Sequence, residues 1–125
     1  MSIAAWAYIN SRLNALGINY AFMRWNEKPP EDYYFVGEYN ELPSMTKEEN
    51  GMQETTIILR GYTWKDWLLL EEAKEKIENS LPITTVLENG NGLAVFYDSG
   101  MVVPTSVDNF KSIKINLTVQ EWKVN

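Results

Sequence analysis

Residues 111–124, KSIKINLTVQEWKV, alternate more regularly than any other part of the chain. In an extended strand Ile113, Ile115, Leu117 and Val119 point one way, and Lys114, Asn116, Thr118 and Gln120 point the other. Such a strand has one dry face and one wet face. It belongs to a sheet that is covered on one side, and the cover must come from elsewhere in the chain.

Two segments can supply that cover. Over residues 3–16, Trp6, Ile9, Leu13 and Leu16 recur with the helical period. Ser2 can cap the start of this helix, and Gly17 stands where a left-handed residue ends one, with Ile18 free to fold back onto the last turn. A second helix follows Thr63, read as its N-cap with Asp66 three residues on in a capping-box pattern. Its stripe runs through Trp67, Leu70, Ala73 or Lys74, and Ile77. Glu72 and Lys76 are spaced for an ion pair on its wet side, and Pro82 ends it.

The rest reads as strands. NYAFMRW (19–25) is apolar on both faces, and Pro29-Pro30 separates it from YYFVGEYNEL (33–42). The latter starts apolar on both faces and turns polar on one, through Glu38 and Asn40. PSMTKEENGMQ (43–53) has no periodicity and reads as an exposed loop. QETTIILRGY (53–62) places Ile57, Leu59 and Gly61 on one face and Glu54, Thr56, Ile58 and Arg60 on the other. ITTVLE (83–88) and LAVFYD (93–98) are joined by Asn89-Gly90-Asn91-Gly92, residues that tolerate positive φ in a hairpin turn, and MVVP is a short extended piece. The reading is an α+β fold, a mostly antiparallel sheet with two helices packed on one face in the order α-β-β-β-α-β-β-β. A chain of 125 residues is expected to form it as a single domain spanning 1–125.

Composition removes several kinds of chemistry. The chain has neither cysteine nor histidine, so disulfides, Cys/His zinc sites, cysteine nucleophiles and histidine bases are excluded. Eleven basic residues against seventeen acidic ones give a net charge of −6. That sign opposes binding to phosphate backbones and to anionic membranes. The apolar run near the N-terminus, MSIAAWAYINSR, lacks a preceding basic residue and is too short to span a bilayer. It reads as a folded helix in a soluble protein, and the absence of cysteine suits a cytoplasmic life.

Carboxylates are the strong acid–base groups that remain. Glu38 and Glu41, with Glu54 on the next strand, can flank a cleft as a glycosidase pair does, although alternating carboxylates more often mark the solvated face of a sheet. Glu48-Glu49-Asn50-Gly51 lacks the alternating ligands of a calcium loop, and the Glu-x-Lys pattern of residues 72–74 lies on a helix as surface charge, not as a nuclease metal site. Ten of the sixteen aromatic residues lie between Tyr20 and Trp67, but five basic against nine acidic residues in that window make a poor stacking groove for single-stranded nucleic acid. Most of these rings are core. Trp64 and Trp122 are candidates for anchors where proteins meet.

Taken in order, these segments resemble the tail terminator proteins of long-tailed phages and prophages, also called tail completion or neck proteins. The likeness is carried by the amphipathic first helix, the strand YYFVGEYNE, the charged loop SMTKEENGM, the strand QETTIILRGYT, the helix WKDWLLLEEAKEKI and the alternating last strand, which together cover nearly the whole chain. The resemblance implies a non-enzymatic structural protein with no cofactor and no metal. It implies self-assembly into a ring, commonly a hexamer, that sits on the last ring of tail-tube protein, stops its growth and meets the head–tail connector. DNA passes through the lumen without specific binding, which an acidic wall favours. Location follows: the bacterial cytoplasm during assembly, then the virion tail. On this reading the subunit contacts fall on Glu38 and Tyr39, on Lys47, Glu48, Glu49 and Met52 of the loop region, and on Trp64 and Trp122. Two alternatives stay open: another head–tail connector or minor capsid component, and a small cavity domain that binds or hydrolyses a ligand through Glu38, Tyr39 or Glu54.

Overall fold

The computed structural model describes residues 1–41 and 51–123. Within them the chain forms α1 (Ile3–Ala15), β1 (Tyr20–Phe22), β2 (Tyr34–Glu41), β3 (Met52–Thr63), α2 (Trp67–Asn79), β4 (Ile83–Val86), β5 (Gly92–Val103) and β6 (Lys111–Trp122). The strands make one six-stranded sheet in the order β1-β2-β3-β6-β5-β4. Each neighbouring pair is antiparallel except β1 and β2, which are parallel. The fold is α+β, with the expected order of elements.

The alternation in the sequence sorts the two faces as expected. Ile57 and Leu59 on β3 and Ile113, Ile115, Leu117 and Val119 on β6 point into one buried cluster. Onto it α1 lays Ala5, Ile9 and Leu13, and α2 lays Leu70, Ala73 and Ile77. Both helices therefore cover the same face. Arg60, Lys114, Asn116 and Thr118 point from the opposite face, as strand geometry requires.

Two glycines let large rings lie flat on the sheet. Phe35 is wholly buried and opposes Gly61 across β2–β3. A Cβ on Gly61 would stand 2.5 Å from the Phe35 ring. Tyr20 covers Gly37 in the same way, with a would-be Cβ at 2.6 Å. Here glycine is required by close approach and not by its backbone angles.

The end of α1 is the one expected. Gly17 takes φ +76°, its N–H bonds to the Asn14 carbonyl at 3.0 Å, and the Ile18 N–H reaches back to Leu13 at 3.3 Å. This paired arrangement satisfies carbonyls the helix would otherwise leave free, and it buries Ile18. Ser2 caps the other end through the Ala5 N–H at 3.1 Å.

Several expectations need correction. The cap of α2 is Asp66, not Thr63: its carboxylate accepts from the Leu68 N–H at 3.0 Å. Thr63 is the last residue of β3, paired with Lys111, and its hydroxyl donates to the Asp32 carbonyl at 2.6 Å. Asp66→Ala should therefore cost about 1 kcal/mol in urea-induced unfolding, the usual loss for an N-cap; no loss would mean that the helix is capped elsewhere. The ion pair on α2 joins Lys74 to Glu71 at 3.4 Å in place of the expected Glu72–Lys76 pair. On α1 the buried stripe is Ala5, Ile9 and Leu13, while Trp6 lies at its margin with its ring edge-on to Phe22.

The segment 19–25 yields only three strand residues, and Met23, at φ +69°, turns the chain out of the sheet. LAVFYD and MVVP are a single strand, β5, interrupted by a bulge between Tyr97 and Ser99. The hairpin turn is longer than its glycines suggest. Strand pairing stops at Val86 and Gly92, and the loop between them closes through the Leu87 N–H to the Asn91 carbonyl at 2.8 Å.

Candidate functional site

The residues expected at subunit contacts lie in separate places. Lys47, Glu48 and Glu49 fall outside the described residues. Glu38 and Tyr39 are neighbours on β2 and point to opposite faces: Glu38 pairs with Arg60 at 3.1 Å, and Tyr39 stacks on Phe22 with ring centroids 5.9 Å apart. Met52 opposes Trp122 at one end of the β3–β6 ladder. Trp64 follows Thr63 at the other end, 55% exposed, with its ring 4.5 Å from that of Phe110. Twelve β3 residues, about 37 Å of strand, separate the two tryptophans.

Two further features take their shape only in the folded chain. The first is an aromatic cleft around Trp64. Trp25, Tyr34, Tyr62, Phe110 and Trp64 form a chain of ring contacts, with Tyr62 and Phe110 stacked at 5.5 Å. Beside them lies an open groove of about 390 Å³, bordered by Lys28, Pro29 and Pro30. The Lys28 ammonium at its mouth is paired with Glu31 at 3.1 Å, which lowers its value as an anion receptor.

The second feature is the pair of open sheet edges. β1 covers β2 only along Phe35–Gly37, and one further bond, from the Met23 N–H to Gly37, closes that stretch. Among the described residues, Glu38–Glu41 have β3 on one side and no strand on the other. β4 covers β5 only along Gly92–Val95. Among the described residues, Phe96–Val103 are likewise paired only to β6. Among the described residues no turn or loop backbone bond reaches either stretch. Tyr39, Phe96, Met101 and Val102 are exposed there.

Carboxylate chemistry finds little support in the geometry. Glu38 and Glu54 share the uncovered face, but Glu38 lies opposite Ile58, four β3 residues from Glu54. That spacing is about 14 Å along the strand, beyond the roughly 5–9.5 Å of a glycosidase pair. Glu41 points to the other face. Its carboxylate takes the Met1 α-amine and the Gln53 amide. Glu121 lies on the helix-covered face of β6 and is 4% exposed. It accepts from the Ser2 N–H at 2.8 Å and from the Asn91 side chain at 2.7 Å. Burial pushes its carboxyl upward, yet these hydrogen bonds outweigh burial and hold it below the usual carboxylate range. Held ionised at neutral pH by these two donors, it is a structural anchor. The clue lay in the alternation: position 121 continues the inward series 113, 115, 117, 119.

Burial raises the pKa of Tyr20 (to about 12) and those of Tyr33, Tyr34 and Tyr97, so these hydroxyls stay protonated at neutral pH. Among the described residues, no three Asp or Glu side chains converge to hold a metal, and no helix is long and apolar enough to cross a membrane.

No protein-family model matches the chain, and neither does any curated protein. Solved structures do. A chain from the virion of the native gene transfer agent particle superposes with a TM-score of 0.69, covering 98% of this chain and 96% of that one at 10% identity. The two share a fold. A second solved chain, whose name describes no role, matches with a TM-score of 0.55 over 98% and 89% of the two chains at 15% identity. Both matches run almost end to end, so the α+β layer described above is the whole of the shared architecture and not a fragment of it.

Proposed function

We propose that this protein is a non-enzymatic component of a phage or prophage virion, which caps the tail tube as a ring, stops its polymerisation and offers the surface that joins tail to head. The observation that carries the reading is the end-to-end likeness in fold to a chain of a gene transfer agent virion. The order and texture of the elements, which resemble the tail terminators, narrow it to the tube end. The surface chemistry agrees with that assignment. Exposed apolar and aromatic side chains lie along open sheet edges and at the sheet ends, where another subunit can cover them.

On this reading the partners are further copies of the chain in a hexameric ring, the tail-tube protein below and the connector above. The net charge of −6 on each copy keeps DNA moving through the lumen and not adhering to it. The protein acts in the host cytoplasm during assembly and remains in the virion tail.

Mixing the protein with polymerising tail-tube protein tests this directly. Negative-stain microscopy should show tubes ended by a ring, with their growth arrested, and native mass measurement should give six copies in that ring. Tubes that grow unchanged in an excess of the protein would remove the terminator reading. Binding to the connector without binding to tube ends would assign it to the connector.

A further inference from the structure

The two open stretches of sheet edge lie at diagonally opposite corners of the sheet. On the β2 side the covered half is Phe35–Gly37 and the open half Glu38–Glu41. On the β5 side the covered half is Gly92–Val95 and the open half Phe96–Val103. Through the ladder, Glu41 lies level with Val95 and Tyr34 lies level with Val103. The first edge is therefore open toward the Met52–Trp122 end and the second toward the Tyr62 end. Unpaired edges of this kind accept a further strand.

We propose that copies of this chain join edge to edge, the Glu38–Glu41 edge of one adding antiparallel to the Ser99–Val103 edge of the next, so that the sheets become continuous from subunit to subunit. Strand direction fits. Successive antiparallel pairings from β2 through β3 and β6 leave β2 and β5 running in opposite senses. A second copy set beside the first with its strands parallel, and shifted along them by four residues or about 14 Å, presents β2 antiparallel to β5 with its helix-covered face on the same side, and brings the two open halves together.

The face of each residue fixes the register. Tyr39 opposes Ile57, and Val102 opposes Ile113, so both lie on the helix-covered face. Setting Tyr39 against Val102 brings Glu38 to Val103, Asn40 to Met101 and Glu41 to Gly100, and every pair matches in face. Two side chains exposed in the single chain, 41% and 54%, then form an aromatic–β-branched cross-strand pair. The charges are compatible, because the only ionised group on the β5 edge, Asp98, sits at the bulge outside the paired stretch. A charged bulge also discourages strands of the wrong register. Because the two edges differ, the contact is head-to-tail, and with a four-residue shift at each contact it closes into a ring with the strands inclined to the ring axis. The inference deepens the ring reading and rests on it only for that closure.

The absence of cysteine makes the test clean. Opposed residues in an antiparallel pair are about 4.5–5.5 Å apart at Cα, within the span of a disulfide. The double variant Tyr39→Cys with Val102→Cys, oxidised after assembly, should give a ladder of covalent oligomers reaching the full ring. Each single variant should lack the ladder. Val102→Lys, on an exposed side chain, should leave the thermal midpoint in place and abolish assembly, since a lysine blunts the edge. A single-cysteine variant that crosslinks to dimers as efficiently as the double variant would mean self-pairing of one edge and would overturn the proposal. Rings on tube ends without a Tyr39–Val102 crosslink would also overturn it, while leaving the cap intact. A full ladder that never engages the tube would overturn the cap and leave the edge pairing standing.

Discussion

Phe35→Ala should destabilise the protein by about 3–5 kcal/mol, the range for truncating a fully buried phenylalanine. Phe35 has no exposed surface, lies against Tyr33 with ring centroids 6.0 Å apart, and fills the space over Gly61. Against a typical total stability of about 5–15 kcal/mol, that loss takes the protein close to its unfolding threshold. The reciprocal change, Gly61→Ala, puts a methyl group 2.5 Å from the Phe35 ring and should also be strongly unfavourable. The two effects should not add. In the double variant Phe35→Ala with Gly61→Ala, the new methyl occupies part of the vacated volume, so the combined loss should fall well below the sum of the singles. Denaturant unfolding of the four proteins measures this coupling, and strictly additive losses would show that the ring and the glycine are not packed as described.

That pair also marks how far the sequence could be read. The inward set on β3 and β6 was legible because burial on one face imposes a period of two, and Ile57, Leu59, Ile113, Ile115, Leu117 and Val119 obey it without exception. The end of α1 was legible because Gly17 answers a local backbone need. Gly61, by contrast, entered the inward set only by position. Its reason is a ring 26 residues away in the chain, which no local pattern reveals.

The misreadings share this cause. Thr63 and Asp66 are both able N-caps, and only the pairing of Thr63 with Lys111 shows that the sheet has claimed the first of them. Ser99-Gly100 looks like a break between two strands, yet β6 pairs with residues on both sides and carries β5 through as one strand with a bulge. The candidate contact surface was less legible still. Trp64 was legible as a candidate anchor and Tyr39 as an expected contact, but an open edge exists only once strand order is known. Strand order depends on contacts between distant segments.

Glu121 offers the sharpest dependence on pH. Its folded carboxyl is held below its unfolded value, about 4.3, so the unfolded chain binds the extra proton. The resulting stability is fully present above that value and is lost as pH falls through the lower, folded one. Thermal or urea unfolding should therefore show an acid limb beginning near pH 4 and steepening downward. Glu121→Gln removes the titrating group while keeping its shape, so the variant should be less stable than the parent at pH 7, and the gap should narrow steadily toward low pH. Glu121→Ala should be worse, since it removes the acceptor of the Ser2 N–H, at roughly 1–3 kcal/mol for an unsatisfied buried donor, and also breaks the Asn91 side-chain hydrogen bond. These two donors tie the start of α1 and the β4–β5 loop to the end of β6. Hydrogen exchange at Ala5 and Asn91 should accelerate with the loss of the carboxylate, and a gap between parent and Gln variant that stays constant with pH would show that Glu121 is not the group that titrates.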